Sequence, residues 1–343
     1  MTLTFGIYPG GLLGDDHGIV HPALPDLPDR IADALDQLQG AGPALSVRAY
    51  QPFAVTSPQE PPTPADPQQY LGGGRGLDLV LPFREQSGQL DGWPEFVREA
   101  VRVHGPHLAS LQICEEPNAD LPVLDGSSPN VLNALVQGVV AAKEEARALG
   151  HTIAVGFNAV PTFDPADTFW SDLAALADER FLAELDYVGL DFFPDVFRPI
   201  AADQLAAAVT GILTAFRRTD LPKAAIPDTV PIRICENGWP TGPDRPEHRQ
   251  AEVLDTVVRT VAALADDLNI DSVTRSSPCV TPTPAPTASS TTSASCATTT
   301  RPNRPSRPTG ASSPKSETGR SRSGDSSACR CPSAAQRRDP VYV

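Results

Sequence analysis

The sequence predicts an α/β protein built as a (β/α)8 barrel, apparently lacking a recognisable eighth strand and followed by a disordered tail. Short runs rich in Val, Ile and Leu alternate with amphipathic helical stretches over residues 1–270. Seven such units occur in that length, and a barrel of this kind needs roughly 250 residues. After residue 270 the composition changes abruptly. We therefore divide the chain into a barrel, 1–270, and a tail, 271–343.

Seven strands are predicted from the apolar runs. Because these runs lack strict alternation of apolar and polar residues, they are typical of strands buried on both faces, as in a TIM barrel. The predicted strands are 3–8, 45–50, 77–83, 108–114, 152–157, 187–192 and 231–235.

The clearest helices between these strands are predicted at 130–149, 202–216 and 247–268. Gly150 directly follows the first of them, as a helix-ending glycine does. The rival architecture is a doubly wound open sheet, which usually carries a GxGxxG loop after its first strand. Residues 8–11, Tyr-Pro-Gly-Gly, do not match that loop, so the barrel is favoured.

The charge is divided unevenly along the chain. Residues 1–270 carry 17 Lys and Arg against 38 Asp and Glu, a net charge of −21, whereas residues 271–343 carry +6. A body this acidic repels nucleic acid and anionic membranes, so we expect neither as a partner. Neutral sugars suit it better than phosphates. No metal-ligand spacing occurs in the body, and we expect no metal and no cofactor.

The chain start and its hydropathy bear on location. No run of about 18 apolar residues is present, so no membrane helix is expected. The first residues, MTLTFGIYPGG, lack a basic region followed by an apolar stretch and are interpreted as the first strand. A cytoplasmic protein is the simple expectation, with secretion as the alternative.

Two strand ends carry the residues that indicate chemistry. The fourth strand ends in QICEEPN, residues 112–118, and the seventh in ICENGWP, residues 234–240. In a barrel the catalytic groups lie at the carboxyl ends of the strands, and strands four and seven face each other across the mouth. Of two carboxyl groups placed there, one can protonate the leaving oxygen while the other attacks the sugar carbon.

These two segments resemble the catalytic motifs of the clan A retaining glycoside hydrolases. That superfamily carries its acid/base Glu after strand four, usually in Asn-Glu-Pro, and its nucleophile Glu after strand seven. Residues 236–240 also resemble the nucleophile segment of β-1,3-glucanases in that clan. The resemblance implies Glu116 as the acid/base, since it precedes Pro117, and Glu236 as the nucleophile.

Glu115 departs from the clan's pattern, which usually has Asn at this position. The resemblance implies that this residue contacts the 2-hydroxyl of the sugar. A Glu can accept a hydrogen bond there, but it adds a third negative charge. Its carboxylate would raise the pKa of Glu116, which suits an acid. The substitution leaves the substrate class open.

Further substrate-binding residues are predicted beside the two glutamates. Arg48 on strand two would support the nucleophile, as a strand-two Arg does in the clan; a salt bridge at the strand end is the alternative. Asn158 and Asp191 would bind sugar hydroxyls or make buried structural hydrogen bonds. Trp239 would stack on a sugar face or pack in the core. Asn118, in the loop of Glu116, completes this predicted set.

The predicted function is therefore hydrolysis of β-linked glycosides, a β-glucan or a related glycoside, by a retaining double displacement. The predicted partner is a carbohydrate substrate. The alternative is a non-catalytic or inactivated carbohydrate-binding barrel, favoured by Glu115 and by the missing eighth strand. A third possibility is a barrel of other chemistry, such as a lyase.

The tail contains no Leu, Ile, Phe, Met or Trp, and Ser, Thr and Pro make up 37 of its 73 residues. Such a composition cannot bury a core and predicts disorder. A secreted Ser/Thr/Pro linker is one explanation. The other is a reading-frame shift near residues 271–274, because shifted codons over 279–306 permit a sequence resembling the end of barrel glycosidases. Without an eighth strand, we expect the barrel not to close.

Overall fold

The computed structural model describes residues 3–10, 12–14, 20–22, 26–57, 59–122, 124–242 and 245–275. Its centre is a closed barrel of eight parallel strands, so the predicted fold class is confirmed. In chain order the strands are β1 Thr4–Ile7, β2 Ser46–Tyr50, β3 Gly76–Leu81, β4 Leu108–Ile113, β5 Ala154–Ala159, β6 Tyr187–Asp191, β7 Ile232–Glu236 and β8 Ile270–Arg275. Each strand pairs with its neighbours in sequence, and β8 pairs with β1. A small antiparallel pair, Leu12–Gly14 with Val20–Pro22, follows β1.

The eighth strand corrects the prediction that this strand is missing. Ile270–Arg275 pairs with β7 on one side and with β1 on the other, so the barrel closes. Ile270 and Val273 are buried, while Asp271 lies partly exposed and forms an ion pair with Arg233 of β7 at 3.1 Å. Because this strand mixes apolar and polar residues, it lacks the continuous apolar run by which the other seven are recognised.

The boundary between barrel and tail therefore lies beyond residue 270, since 271–275 belong to the barrel. The eighth strand that was predicted to be missing is formed by the sequence as it stands. The rest of the frame-shift hypothesis, and the predicted disorder, concern residues 276–343, which lie outside the described residues.

The helices surround the barrel. They are α1 Pro28–Gln39, α2 Trp93–His104, α3 Val131–Leu149, α4 Phe169–Leu176, α5 Glu179–Glu184, α6 Ala202–Ala215 and α7 Glu247–Leu268. Helix α6 continues through a π-helical turn, Phe216–Asp220, into a short helix, Leu221–Lys223, and short 3-10 turns lie at Pro67–Tyr70, Gly72–Gly74, Gly105–His107 and Asp125–Ser127. The three helices predicted from sequence are α3, α6 and α7. None of the described helices is long and apolar enough to cross a membrane.

The core has two parts of different chemistry. Between the strands and the helices it is apolar, with large buried rings such as Trp93, Trp170 and Phe157. Inside the barrel, by contrast, Arg48 of β2, Asp78 of β3 and other polar side chains are buried and bonded to one another. A polar interior of this kind is expensive unless its groups are paired.

Candidate active site

Glu236 is the last residue of β7, and two side chains from β2 bind it. The hydroxyl of Tyr50 donates a hydrogen bond to Oε1 of Glu236, and Nη2 of Arg48 lies 3.4 Å from the same oxygen. Arg48 and Tyr50 lie two residues apart in β2. Residues two apart in a strand share a face, so both side chains can reach Glu236. The predicted contact between Arg48 and Glu236 is thus present, and Tyr50 adds a donor beside it.

Arg48 is completely buried and has no freedom to move away from Glu236. Its guanidinium donates to Oδ2 of Asp78 at 2.9 Å, to Oε1 of Gln112 at 2.9 Å and to the hydroxyl of Tyr50 at 2.7 Å. These bonds link β2 to β3 and β4 below the mouth. Since a guanidinium has a planar, rigid arrangement of donors, the three acceptors fix its orientation under Glu236.

Glu116 lies in the turn that follows β4, and its backbone is held in an unusual conformation. Its φ angle is +46°, in the left-handed region that non-glycine residues rarely adopt. The backbone N–H of Glu116 donates to Oδ1 of Asn158 at 2.8 Å. The side chain of Asn158 on β5 therefore holds this turn in place and keeps Glu116 at the barrel mouth.

Asn158 also connects Glu116 to the end of β6. Its amide nitrogen donates to Oδ2 of Asp191, and both side chains are buried. The other carboxyl oxygen of Asp191, Oδ1, is buried and has no hydrogen-bond partner among the described residues. A buried acceptor without a partner is costly.

The acidity of Glu116 is altered by its surroundings. Burial raises the pKa of Glu116 well above its usual range, and the nearby carboxylates of Asp191, Glu236 and Glu115 raise it further. Burial likewise raises the pKa of Asp191, with the charge of Glu236 as the next cause. A carboxyl kept protonated near neutral pH is what a general acid requires.

Glu115 is neutralised by a partner that sequence analysis did not identify. Nη2 of Arg84, which follows β3, donates to Oε2 of Glu115, and Nη1 of Arg84 donates to Oδ1 of Asp125 at 2.5 Å. Burial raises the pKa of Glu115 to about 7 despite the opposing effect of Arg84, and Glu236 raises it too.

The remaining predicted residues bind the loops around the mouth. Asn118 bridges the loops after β4 and β5, donating to the carbonyl of Val160 at 2.8 Å and accepting from its N–H at 2.9 Å. Trp239 is only 4% exposed, and its indole N–H donates to Asp195. The guanidinium of Arg245 lies 5.6 Å from the centre of the indole ring. Trp239 therefore occupies a packed position.

Two side chains that donate hydrogen bonds to the predicted glutamates were missed by sequence analysis. Tyr50 carried a usable signal, because it lies two residues after Arg48 and must share its face of β2. Arg84 carried none, since it lies beyond its strand and its pairing with Glu115 is a tertiary contact. Among the described residues, no three His, Cys, Asp or Glu side chains are grouped so that they could hold a metal ion.

Comparison with known proteins assigns the chain to no family. No family model matches the chain, and no curated protein matches it. Among solved structures, an enzyme from Alicyclobacillus herbarius is 13% identical, with 80% of this chain and 88% of that chain covered and a TM-score of 0.49. A Thermotoga maritima β-glucosidase in complex with cyclophellitol is 11% identical, with 73% and 77% covered and a TM-score of 0.45. A Ruminococcus gnavus β-glucuronidase is 11% identical, with 80% and 42% covered and a TM-score of 0.49.

At these identities and scores the matches carry no argument about activity. The likeness of residues 236–240 to β-1,3-glucanases finds no support in these comparisons and stays a prediction.

Proposed function

We propose that this chain is a glycoside hydrolase that cleaves β-linked glycosides with retention of configuration. Glu116 is the general acid and base, and Glu236 is the nucleophile. The observation that carries the proposal is the contrast between their surroundings. Glu116 is buried among other carboxyls, which raise its pKa, whereas Glu236 receives a guanidinium and a phenol donor.

The chemistry follows from that contrast. Protonated Glu116 gives its proton to the glycosidic oxygen while Glu236 attacks the anomeric carbon, so the bond to the leaving group breaks and a glycosyl ester forms. Glu116, now ionised, takes a proton from water, which attacks the anomeric carbon and releases Glu236. The product keeps the β configuration, and both carboxyls return to their starting states.

The other side chains support these two steps. Arg48 and Tyr50 hold Glu236 and face the negative charge that this carboxylate carries before attack. Asn158 fixes the turn of Glu116. Asp191 accepts from Asn158 and so supports the same turn. Asn118 and Trp239 act on the substrate through the loops that they anchor.

The alternative of a non-catalytic barrel has lost one of its two supports. It was favoured by a missing eighth strand, which is present as Ile270–Arg275. The other support, the extra charge of Glu115, is offset by its ion pair with Arg84. Glu116, the proposed acid, therefore has a neighbour, Glu115, whose negative charge is balanced by Arg84.

Hydrolysis of 4-nitrophenyl β-glycosides by the full chain tests the proposal. Glu236→Gln should lower kcat by at least about 100-fold, and Glu116→Gln should do so most strongly for poor leaving groups. Glu95→Gln, an exposed carboxyl on α2 paired with Arg102, is the matched control and should keep full activity.

Azide separates the two roles. Azide should rescue Glu236→Gly by forming the α-glycosyl azide, and it should rescue Glu116→Ala by forming the β-glycosyl azide. No hydrolysis by the unaltered chain across β-glucosides, β-galactosides and β-glucosaminides would contradict the proposal. Rescue with the opposite anomers would contradict the assigned roles.

A further inference from the structure

The turn that carries Glu116 holds two residues in rare backbone conformations. The φ angle is +64° at Cys114 and +46° at Glu116, on either side of Glu115. Neither of the two is a glycine, so both conformations are sterically unfavourable. Residues in such conformations persist only where the surrounding structure imposes them. The acid turn, residues 114–116, therefore depends on bonds from outside it.

Three side chains, each 0% exposed, bind the backbone of the acid turn, one at each of its residues. Nε2 of Gln112 donates to the carbonyl of the first residue at 2.9 Å. Oδ2 of Asp125 accepts from the N–H of the second at 2.7 Å, and Oδ1 of Asn158 accepts from the N–H of the third at 2.8 Å. Gln112 and Asn158 belong to β4 and β5, whereas Asp125 belongs to the loop that follows the acid turn.

Asp125 binds Glu115 at two points and connects it to the core. The backbone N–H of Asp125 donates to the carbonyl of Glu115 at 3.2 Å, while Oδ2 accepts from the N–H of Glu115. The same Oδ2 accepts from the N–H of Phe83 at 2.7 Å. Phe83 is completely buried, and the centre of its ring lies 5.3 Å from that of Trp93. Asp125 thus joins the acid turn to a closely packed region.

The two carboxyl oxygens of Asp125 have different partners. Oδ2 accepts both backbone N–H groups, whereas Oδ1 accepts from Nη1 of Arg84 at 2.5 Å. An Asn at this position would keep one oxygen for the two N–H groups and would lose the ion pair. Exchange for Asn therefore separates the bond to the acid turn from the charge beside Arg84.

We propose that Asp125 is a positioning residue for Glu116: by binding the N–H of Glu115, it fixes where the acid turn presents the Glu116 carboxyl. This inference rests on the proposed glycosidase function and adds a residue to it. Because Asp125 has no exposed surface, it acts on the substrate only through the acid turn. A displacement of a reacting group by about 1 Å can cost about 100-fold in rate, so loss of this bond should impair proton transfer.

The test compares two aryl β-glycosides of the sugar that the full chain hydrolyses fastest. The 2,4-dinitrophenyl group leaves without a proton, whereas the phenyl group needs the proton of Glu116. In Asp125→Ala, kcat/KM for the phenyl glycoside should fall by about 10- to 100-fold more than kcat/KM for the dinitrophenyl glycoside. A loss of folded enzyme lowers both values alike, so only their ratio reports the position of the acid.

Two further variants distinguish the bond to the acid turn from other effects of Asp125. Asp125→Asn keeps an acceptor for the N–H of Glu115 and should restore most of the ratio. If Asp125→Ala does not fold, Asp125→Glu replaces it in the test. Asp125→Glu keeps the charge beside Arg84 but displaces the carboxylate by one methylene group, and the ratio should change in the same direction.

Asp186→Ala is the matched control. Asp186 precedes β6 at the opposite end of the barrel and has a similar set of partners, since it accepts from the N–H of Val155 and from Nζ of Lys143, both at 2.7 Å. Its loss should lower stability, because a backbone donor and a cation lose their acceptor. The ratio between the two glycosides should stay that of the parent.

An unchanged ratio in Asp125→Ala would overturn this inference and leave the glycosidase function standing. Equal impairment in Asp125→Asn and Asp125→Ala would also overturn it, since the charge and not the bond to the acid turn would then matter. If the unaltered chain hydrolyses no glycoside, the proposed function falls, and the crystal structure of the folded variant tests Asp125 alone. Loss of the positive φ at Cys114 or Glu116 would support its hold on the acid turn, and unchanged angles would refute it.

Discussion

The hydroxyl of Tyr50 donates a hydrogen bond to the carboxyl of Glu236, joining the end of β2 to the end of β7 across the barrel mouth. The same hydroxyl accepts from Nε of Arg48 at 2.7 Å. The phenol of Tyr50 therefore bonds both to the buried guanidinium of Arg48 and to the proposed nucleophile.

Removing the Tyr50 hydroxyl tests its part in holding Glu236. Tyr50→Phe should lower kcat/KM on the best glycoside by about 10- to 100-fold, because a charge-assisted hydrogen bond to the nucleophile is lost. Tyr70→Phe is the matched control, since Tyr70 is also buried and its hydroxyl has no described partner. Unchanged kinetics in Tyr50→Phe would show that the phenol has no role in the reaction.

Arg48 should matter to folding as well as to activity. Arg48→Met removes the partner of Asp78 and leaves a buried carboxylate without its cation, which costs about 3–5 kcal/mol of unfolding free energy. Chemical denaturation measures this loss. In the double variant with Asp78→Asn, much of the stability should return. A loss of less than about 1 kcal/mol in the single variant would mean that the ion pair contributes little.

The pH dependence of activity should report the raised pKa of Glu116. Because the acid must be protonated, kcat/KM should fall as the pH rises through that pKa, which defines an alkaline limb. Asp191→Asn removes one charge that raises the pKa of Glu116 and should move this limb to lower pH. The variant can still accept from Asn158, so its fold should persist. An alkaline limb that stays at the same pH would show that Asp191 does not affect the pKa of Glu116.

Glu115 should make stability depend on pH. Its pKa is raised from 4.5 in the unfolded chain to about 7 in the fold, so the folded state binds its proton more tightly. The associated stability is full below pH 4.5 and is lost as the pH rises to about 7. Thermal unfolding of Glu115→Gln should therefore vary less across this window than that of the parent. An equal slope in both proteins would contradict the assignment.

Closure of the barrel through β8 can be tested in the full chain. Val273→Asp buries an unpaired charge between β7 and β1 and should cost at least about 3 kcal/mol of unfolding free energy. Ser272→Asp places the same group on a partly exposed position of the same strand and should cost far less. Equal effects, measured by urea unfolding, would mean that this segment does not pack in the barrel.

The order of strands and helices could be predicted from the sequence because each of these elements has a local pattern of apolar residues. Apolar runs mark strands buried on both faces, and Glu116 and Glu236 follow two such runs at the ends where barrel chemistry lies. Arg48 was predicted from the resemblance to clan A, which carries an Arg on strand two. The strand that was not predicted, Ile270–Arg275, contains the polar residue Asp271, which forms an ion pair with Arg233. A contact between two strands cannot be seen in the sequence of either strand.

The electrostatics of the site could be predicted only in part. The neighbourhood of Glu115 and Glu116 in the chain made a raised pKa of Glu116 foreseeable. Burial is its largest cause and Asp191 its next, and both depend on how β4 and β6 meet in space. The ion pair between Glu115 and Arg84 likewise joins two residues that are 31 positions apart in the chain. It depends on the fold in the same way.

The most direct test of the proposed roles of Glu116 and Glu236 is to trap the glycosyl-enzyme in the Glu116→Ala variant. An aryl glycoside with a good leaving group needs no acid for the first step, so the ester should accumulate because its hydrolysis lacks a base. Mass spectrometry of the quenched protein should show one added glycosyl unit, and peptide mapping should place it on Glu236. Rapid release of aryl alcohol without an adduct, or an adduct on another carboxyl such as Glu115, would contradict these roles.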